Sequence, residues 1–144
     1  MASVIERVIL LQAVDVFEGV STEQLAHIAA IAHEVSHPAG TTLFLVDDPS
    51  DAMFVVVEGE VKLSRGQQVV TVAGAGEAFG TWSLFDDEPR VVDAEAATNV
   101  TLLRLDRADF IDLLADNVEI TQGILKGIVQ RLRGVAGRLV SDGS

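Results

Sequence analysis

Between Thr41 and Leu105 the chain is a succession of short apolar, β-branched runs, each closed by a turn signal. The runs are Thr41–Val46, Met53–Val57, Val61–Ser64, Val69–Ala73, Asp93–Ala97 and Val100–Leu105. The turn signals are the acidic loop 47–51, Gly59, Gly66 as a hairpin, and the Thr98-Asn99 pair. Strands this short at this spacing predict a sandwich or a rolled barrel. Met53–Val57 is continuous and not alternating, which predicts burial on both faces.

Helical signals flank this region. Ser3 with Glu6 reads as a capping box opening a helix through Leu11, and Ser21 with Gln24 reads as a second box. The second helix carries Leu25, Ile28, Ala29 and Ala32 on one stripe, and Phe17 between the two helices packs onto the core. Pro38 and Gly40 end the helical region. After the last strand, Asp106 is expected to cap a helix with Phe110, Leu113 and Leu114 inside. A final helix spans 118–140, with Leu125, Ile128, Leu132, Val135 and Leu139 recurring at coiled-coil spacing. Gly123, Gly127, Gly134 and Gly137 weaken that helix unless they permit a close contact.

The chain has 144 residues, 49% hydrophobic, which suits one domain with a real core. Its net charge of −12 opposes nucleic acid and anionic membrane, although residues 118–144 hold four basic side chains against two acidic ones. There is no cysteine, no apolar run long enough to span a bilayer and no cationic signal sequence at Met1; a cytoplasmic location is expected.

The chemistry concentrates in residues 74–96. Gly74, Gly76 and Gly80 lie close together; Thr81, Trp82 and Ser83 follow Gly80; Asp86, Asp87, Glu88 and Pro89 precede Arg90. Glycines let backbone N–H groups face an anion, a helical turn from Thr81 would aim its open N–H groups at the same point, and an arginine can close on it with paired hydrogen bonds. A Gly-rich turn beside a surface arginine is the plainer alternative.

The run 79–90, Phe79 to Arg90, with the later 104–110, resembles the phosphate-binding cassette of the cyclic nucleotide-binding domain family, and the similarity extends from about residue 10 to about residue 133. The resemblance implies an α+β, mainly β fold: an eight-stranded β-roll, or jelly roll, flanked by helices. It places N-terminal helices at 1–37, the roll at 38–105 with the cassette at 76–94, and C-terminal helices at 106–144. It implies a ligand site of Phe79, Gly80, Thr81, Trp82, Ser83, Leu84, Arg90, Val91 and Val92. In the family a glutamate takes a ribose hydroxyl where Thr81 stands, small residues follow the arginine where Val91 and Val92 stand, and a threonine stands at Asp93. A carboxylate at 93 is expected to repel phosphate, and Asp47 replaces a turn glycine. These departures imply weak or altered affinity for cyclic AMP or cyclic GMP, with the fold retained.

No enzyme is expected. His27 and His33 do not share a helix face, the strands are read as free of histidine, and the acidic loop 47–51 lacks the pattern of a calcium site. No cofactor or metal is implied. The expected function is a regulatory sensor domain, homodimeric through the 118–140 helix. The alternatives are a degenerate domain serving dimerisation or protein interaction, and the sensor half of a larger transcription regulator or multidomain protein with an attached output domain. No DNA binding by this chain alone is expected.

Overall fold

The computed structural model describes residues 3–143, with side chains through Leu139. Helix α1 is Val4–Gln12 and α2 is Thr22–Ile31, joined through a 3₁₀ turn at Asp15–Phe17. Both capping serines act as the sequence indicates: Ser3 accepts from the Glu6 amide and Ser21 from the Gln24 amide. The strands are β1 His33–His37, β2 Thr42–Phe44, β3 Ala52–Glu58, β4 Val61–Arg65, β5 Gln68–Ala73, β6 Ala78–Phe79, β7 Asp93–Ala96 and β8 Val100–Asp106. Helices α3, Arg107–Asp116, and α4, Val118–Gly143, follow.

The strands form two antiparallel four-stranded sheets, ordered β1-β8-β3-β6 and β2-β7-β4-β5. This is the rolled, mainly β architecture with helices at both ends. β3 and β8 separate two cores. Alternate side chains of β3 go to opposite faces, as strand geometry requires. Met53 and Val55 join Leu103 and Leu105 of β8 against the helices and Phe17, Phe110 and Ile120. Phe54 and Val56 join Leu102 inside the roll with Phe44, Leu63 and Phe79. The continuous apolar run at Met53–Val57 is therefore buried on both sides.

Three expectations need correction. Residues 33–37 are not helical: His33–His37 pairs with Arg104–Val100 of β8 as an edge strand, because Ala32 at the end of α2 is already extended. The strands consequently do carry histidines, His33 and His37, both on β1. Asp106 holds the N-cap position of α3 but its side chain makes no capping bond. It accepts instead from Arg104 Nε at 2.7 Å, with His33 Nε2 3.8 Å away.

The glycines of α4 divide into two kinds. Gly123 and Gly127 meet the backbone of Gly19, where a Cβ built on Gly19 would come within 2.2 Å of the Gly123 carbonyl oxygen. This permits the 3₁₀ turn and α4 to touch backbone to backbone, supported by an Arg131–Asp15 ion pair at 3.0 Å. Gly134 and Gly137 make no such contact. Along α4, Leu125, Val129, Leu132, Val135 and Leu139 are all exposed, whereas Ile128 of the expected seam is half-buried against the helical core.

Candidate functional site

The cassette begins at Gly80, whose φ of +72° is the left-handed conformation glycine adopts at no cost. A 3₁₀ turn over Thr81–Leu84 follows directly. A Cβ on Gly80 would lie 2.7 Å from Arg90 Nη1, so a side chain here would displace the arginine. Arg90 folds back beneath this turn. Its Nη1 donates to Ser83 Oγ at 2.8 Å and its Nη2 to the Ala52 carbonyl at 2.8 Å. Its Cζ lies 4.1 Å from the centroid of the Phe44 ring, within cation–π range.

Arg90 is only 7% exposed, and its Nε is buried without a hydrogen-bond partner. Asp86, Asp87, Glu88 and Asp93 are its nearest carboxylates in the sequence. Among the described residues none reaches it: the ion pairs involve other side chains. Burial holds its pKa below the usual arginine value; Asp51 opposes this from a distance, and Arg104 and Arg107 add to it.

A cavity of about 300 Å³ opens beside this guanidinium. Its walls are Phe44, Leu63, Phe79, Trp82, Val91 and Val92, and its polar lining is Ser50, Ser83, Asp86, Glu88 and Arg90, with Gly80 and Pro89 completing it. The structure thus gathers Phe79, Gly80, Trp82, Ser83, Arg90, Val91 and Val92 around one space. It leaves two expected site residues out. Thr81 faces a separate cleft beside Asp15, Glu77 and Arg131, and Leu84 is buried in the helical core. Trp82 lines both clefts and is 74% exposed.

Asp93 also stands elsewhere than expected. Its Oδ1 accepts the Val46 amide at 2.8 Å, and it is not part of the cavity wall. This bond to the chain just after β2 holds the carboxylate out of the cavity lining. Asp47 keeps the turn of the glycine it replaces by adopting φ of +73°. Its amide bonds to the Arg90 carbonyl at 2.8 Å, and the Arg90 amide bonds to the Asp48 carbonyl at 2.9 Å. The loop before β3 thus fixes the backbone of the arginine.

Sequence reasoning missed Ser50 and Arg107. Ser50 is 5% exposed and donates to the Glu88 carbonyl at 2.5 Å. Arg107 Nη1 donates to the carbonyls of Ser50, at 2.9 Å, Ser83, at 3.3 Å, and Asp86. Both act through backbone carbonyls, which no residue pattern announces. No cluster of three or more metal-ligating side chains occurs among the described residues. No helix among them is long and apolar enough to cross a membrane.

The sequence profile of the cyclic nucleotide-binding domain matches residues 34–117, from β1 through the end of α3. This chain belongs to the cyclic nucleotide-binding domain family. It is 30% identical over 123 residues to a CRP-like cAMP-activated global transcriptional regulator of Mycobacterium tuberculosis, covering 82% of this chain and 55% of that protein. It is 35% identical over 127 residues to a cyclic nucleotide-gated potassium channel of Mesorhizobium japonicum, covering 88% of this chain and 35% of the channel. Its fold matches the crystal structure of the N-terminal domain of a transcriptional regulator from Streptomyces coelicolor with a TM-score of 0.81 at 34% identity, over 90% of this chain and 94% of that domain. The chain spans about half, or less, of the length of these curated relatives. Domains of this family occur in regulators, channels and kinase regulatory subunits.

Proposed function

We propose that this domain is a non-catalytic sensor whose cavity takes the phosphate of a cyclic nucleotide against Arg90. The observation that carries the reading is a guanidinium buried without any carboxylate in contact, one of its donors unsatisfied, at the wall of a cavity large enough for a small ligand. A buried charge without a partner costs several kcal/mol, and an anion entering the cavity would offset that cost. A relic of such a site has no reason to keep it; a surface ion pair would serve as well.

The apolar walls from Phe44, Leu63 and Val92 suit a base, and Trp82 stands at the mouth. With Thr81 outside the cavity, no side chain at that position accepts a ribose hydroxyl, so affinity for cyclic AMP is lower than a site with that hydrogen bond would give, by about 1.5–3 kcal/mol. Capture of the phosphate draws the cassette inward and shifts α3 and α4, as a ligand that binds one of two conformations more tightly must do. The exposed stripe Leu125, Val129, Leu132, Val135 and Leu139 favours a second element of this reading, a homodimer through α4. In a longer protein the same helix would pass the signal to an output domain.

The experiment is calorimetry with cyclic AMP and cyclic GMP on wild type and Arg90→Ala. Binding in the wild type that disappears in the variant is the expected result. Silence of both nucleotides, together with no stabilisation by inorganic phosphate, would reject the site and leave the dimerisation role.

A further inference from the structure

Arg90 and Arg107 hold the same two segments of chain from opposite ends. The first segment is 50–52. Its Ala52 carbonyl accepts from Arg90 and its Ser50 carbonyl from Arg107. The second is the cassette turn. The Ser83 hydroxyl accepts from Arg90, and the Ser83 carbonyl accepts from Arg107. The two bonds from Arg90 are buried, and those from Arg107 to the Ser50 and Ser83 carbonyls are partly buried. The backbone amide of Arg107 adds a bond to the Asp51 carbonyl at 2.8 Å.

The side-chain contacts of Arg107 are over-subscribed. All three carbonyls, from Ser50, Ser83 and Asp86, approach the same nitrogen, Nη1, which carries only two hydrogens. At any moment one carbonyl shares a hydrogen or goes without. A small displacement of the cassette relative to residues 50–52 changes which carbonyls are served. Arg107 is also the first residue of α3, so a change in its bonding acts on that helix directly.

We propose that Arg107 is a positioning residue that relays the state of Arg90 to α3, through Ser83 and segment 50–52. The trigger rests on the anion-site reading above: when Arg90 turns its donors to an anion it releases the Ser83 hydroxyl and the Ala52 carbonyl, and the segments gripped by Arg107 shift. A second contact joins cassette and α3, Phe85 against Phe110 with ring centroids 5.9 Å apart, but it involves neither arginine.

The test is a cycle of single and double substitutions, Arg90→Ala, Arg107→Ala and both, read by amide hydrogen exchange at residues 110–114 of α3. It needs no ligand. Arg90→Ala is expected to accelerate exchange there about tenfold when Arg107 is present, and by less than about twofold in the Arg107→Ala background. Equal acceleration in both backgrounds would overturn the relay. If Arg107→Ala does not fold, Arg107→Gln takes its place, since it retains the stem and one donor. Phe85→Leu serves as the control and should leave the dependence on Arg107 intact; loss of the dependence in that variant would assign the relay to the aromatic contact and overturn the proposal. With cyclic AMP at saturation, Arg107→Gln should lose the change in exchange at 118–128 that wild type shows. Failure of wild type to bind cyclic AMP, cyclic GMP or phosphate would reject the anion site, and the cycle without ligand would still decide the relay.

Discussion

The guanidinium of Arg90 lies against the face of Phe44, 4.1 Å from the ring centroid, and this aromatic face is the nearest thing it has to a counter-charge. A desolvated cation–π contact contributes up to about 2 kcal/mol. Removing the charge from water costs several. The aromatic ring therefore offsets only part of the cost, and the balance favours whatever anion can enter.

The first prediction follows from that balance. A cyclic nucleotide at about a hundred times its dissociation constant should add about 2.7 kcal/mol to the stability of the wild type. For a domain of this size that is roughly 5–10 °C in melting temperature. Arg90→Ala should remove the whole of the rise. A thermal-shift series with cyclic AMP, cyclic GMP and phosphate measures it, and a ligand that stabilises both proteins equally binds somewhere other than this cavity.

Asp93 yields a prediction opposite in kind. Its carboxylate accepts the Val46 amide and does not face the cavity. Asp93→Ala should destabilise the fold by about 1–3 kcal/mol in urea denaturation, the cost of stranding a partly buried amide. Nucleotide affinity should not improve. A tighter site in Asp93→Ala would mean that the carboxylate acts on the ligand after all.

The glycines of α4 separate contact from tolerance. Gly137 has open space where a side chain would go, so Gly137→Ala should stabilise by up to about 1 kcal/mol. A Cβ on Gly123 would lie 2.7 Å from the Gly19 carbonyl oxygen, so Gly123→Ala should cost about 1–3 kcal/mol despite the better helix propensity. Chemical denaturation of the two variants side by side reads the difference; equal effects would remove the backbone contact from the account.

The exposed stripe of α4 predicts self-association. Leu132 is 64% exposed and central to it. Leu132→Asp places a charge in the seam and should convert a dimer to a monomer in light scattering, leaving the melting temperature of the monomeric fold almost unchanged. A wild-type protein that is monomeric at every accessible concentration would exclude the α4 dimer.

Most of the fold was legible because its signals are local. The serine caps at Ser3 and Ser21, the run Met53–Val57 and the glycines at the turns each dictate their own surroundings. His33–His37 was not legible: it has no alternation of its own and becomes a strand only because β8 offers it an edge. The two-residue strand at Ala78–Phe79 is likewise defined by its pairing with Val55 and Phe54. In the site, the pattern located Gly80, Ser83 and Arg90 in the chain, but the directions of Thr81 and Asp93 depend on how β7 and the 3₁₀ turn are rotated. The roles of Ser50 and Arg107 pass through carbonyl oxygens that every residue possesses, so sequence carries no trace of them.

The two-sided burial of β3 and β8 also sets the order in which the molecule can form. Residues 52–58 pair with 101–106, so neither core has its dividing wall until the intervening residues 59–100 have been looped out. Closing that loop consumes chain entropy before any apolar contact compensates it, which is the circumstance that slows folding in β-rich proteins. On a ribosome the helices α1 and α2 emerge before the roll, with each other as their packing partner. Their remaining apolar faces stay uncovered until β3 and β8 arrive, and the helical core is complete only when Phe110, Ile120 and Ile124 of α3 and α4 close on it.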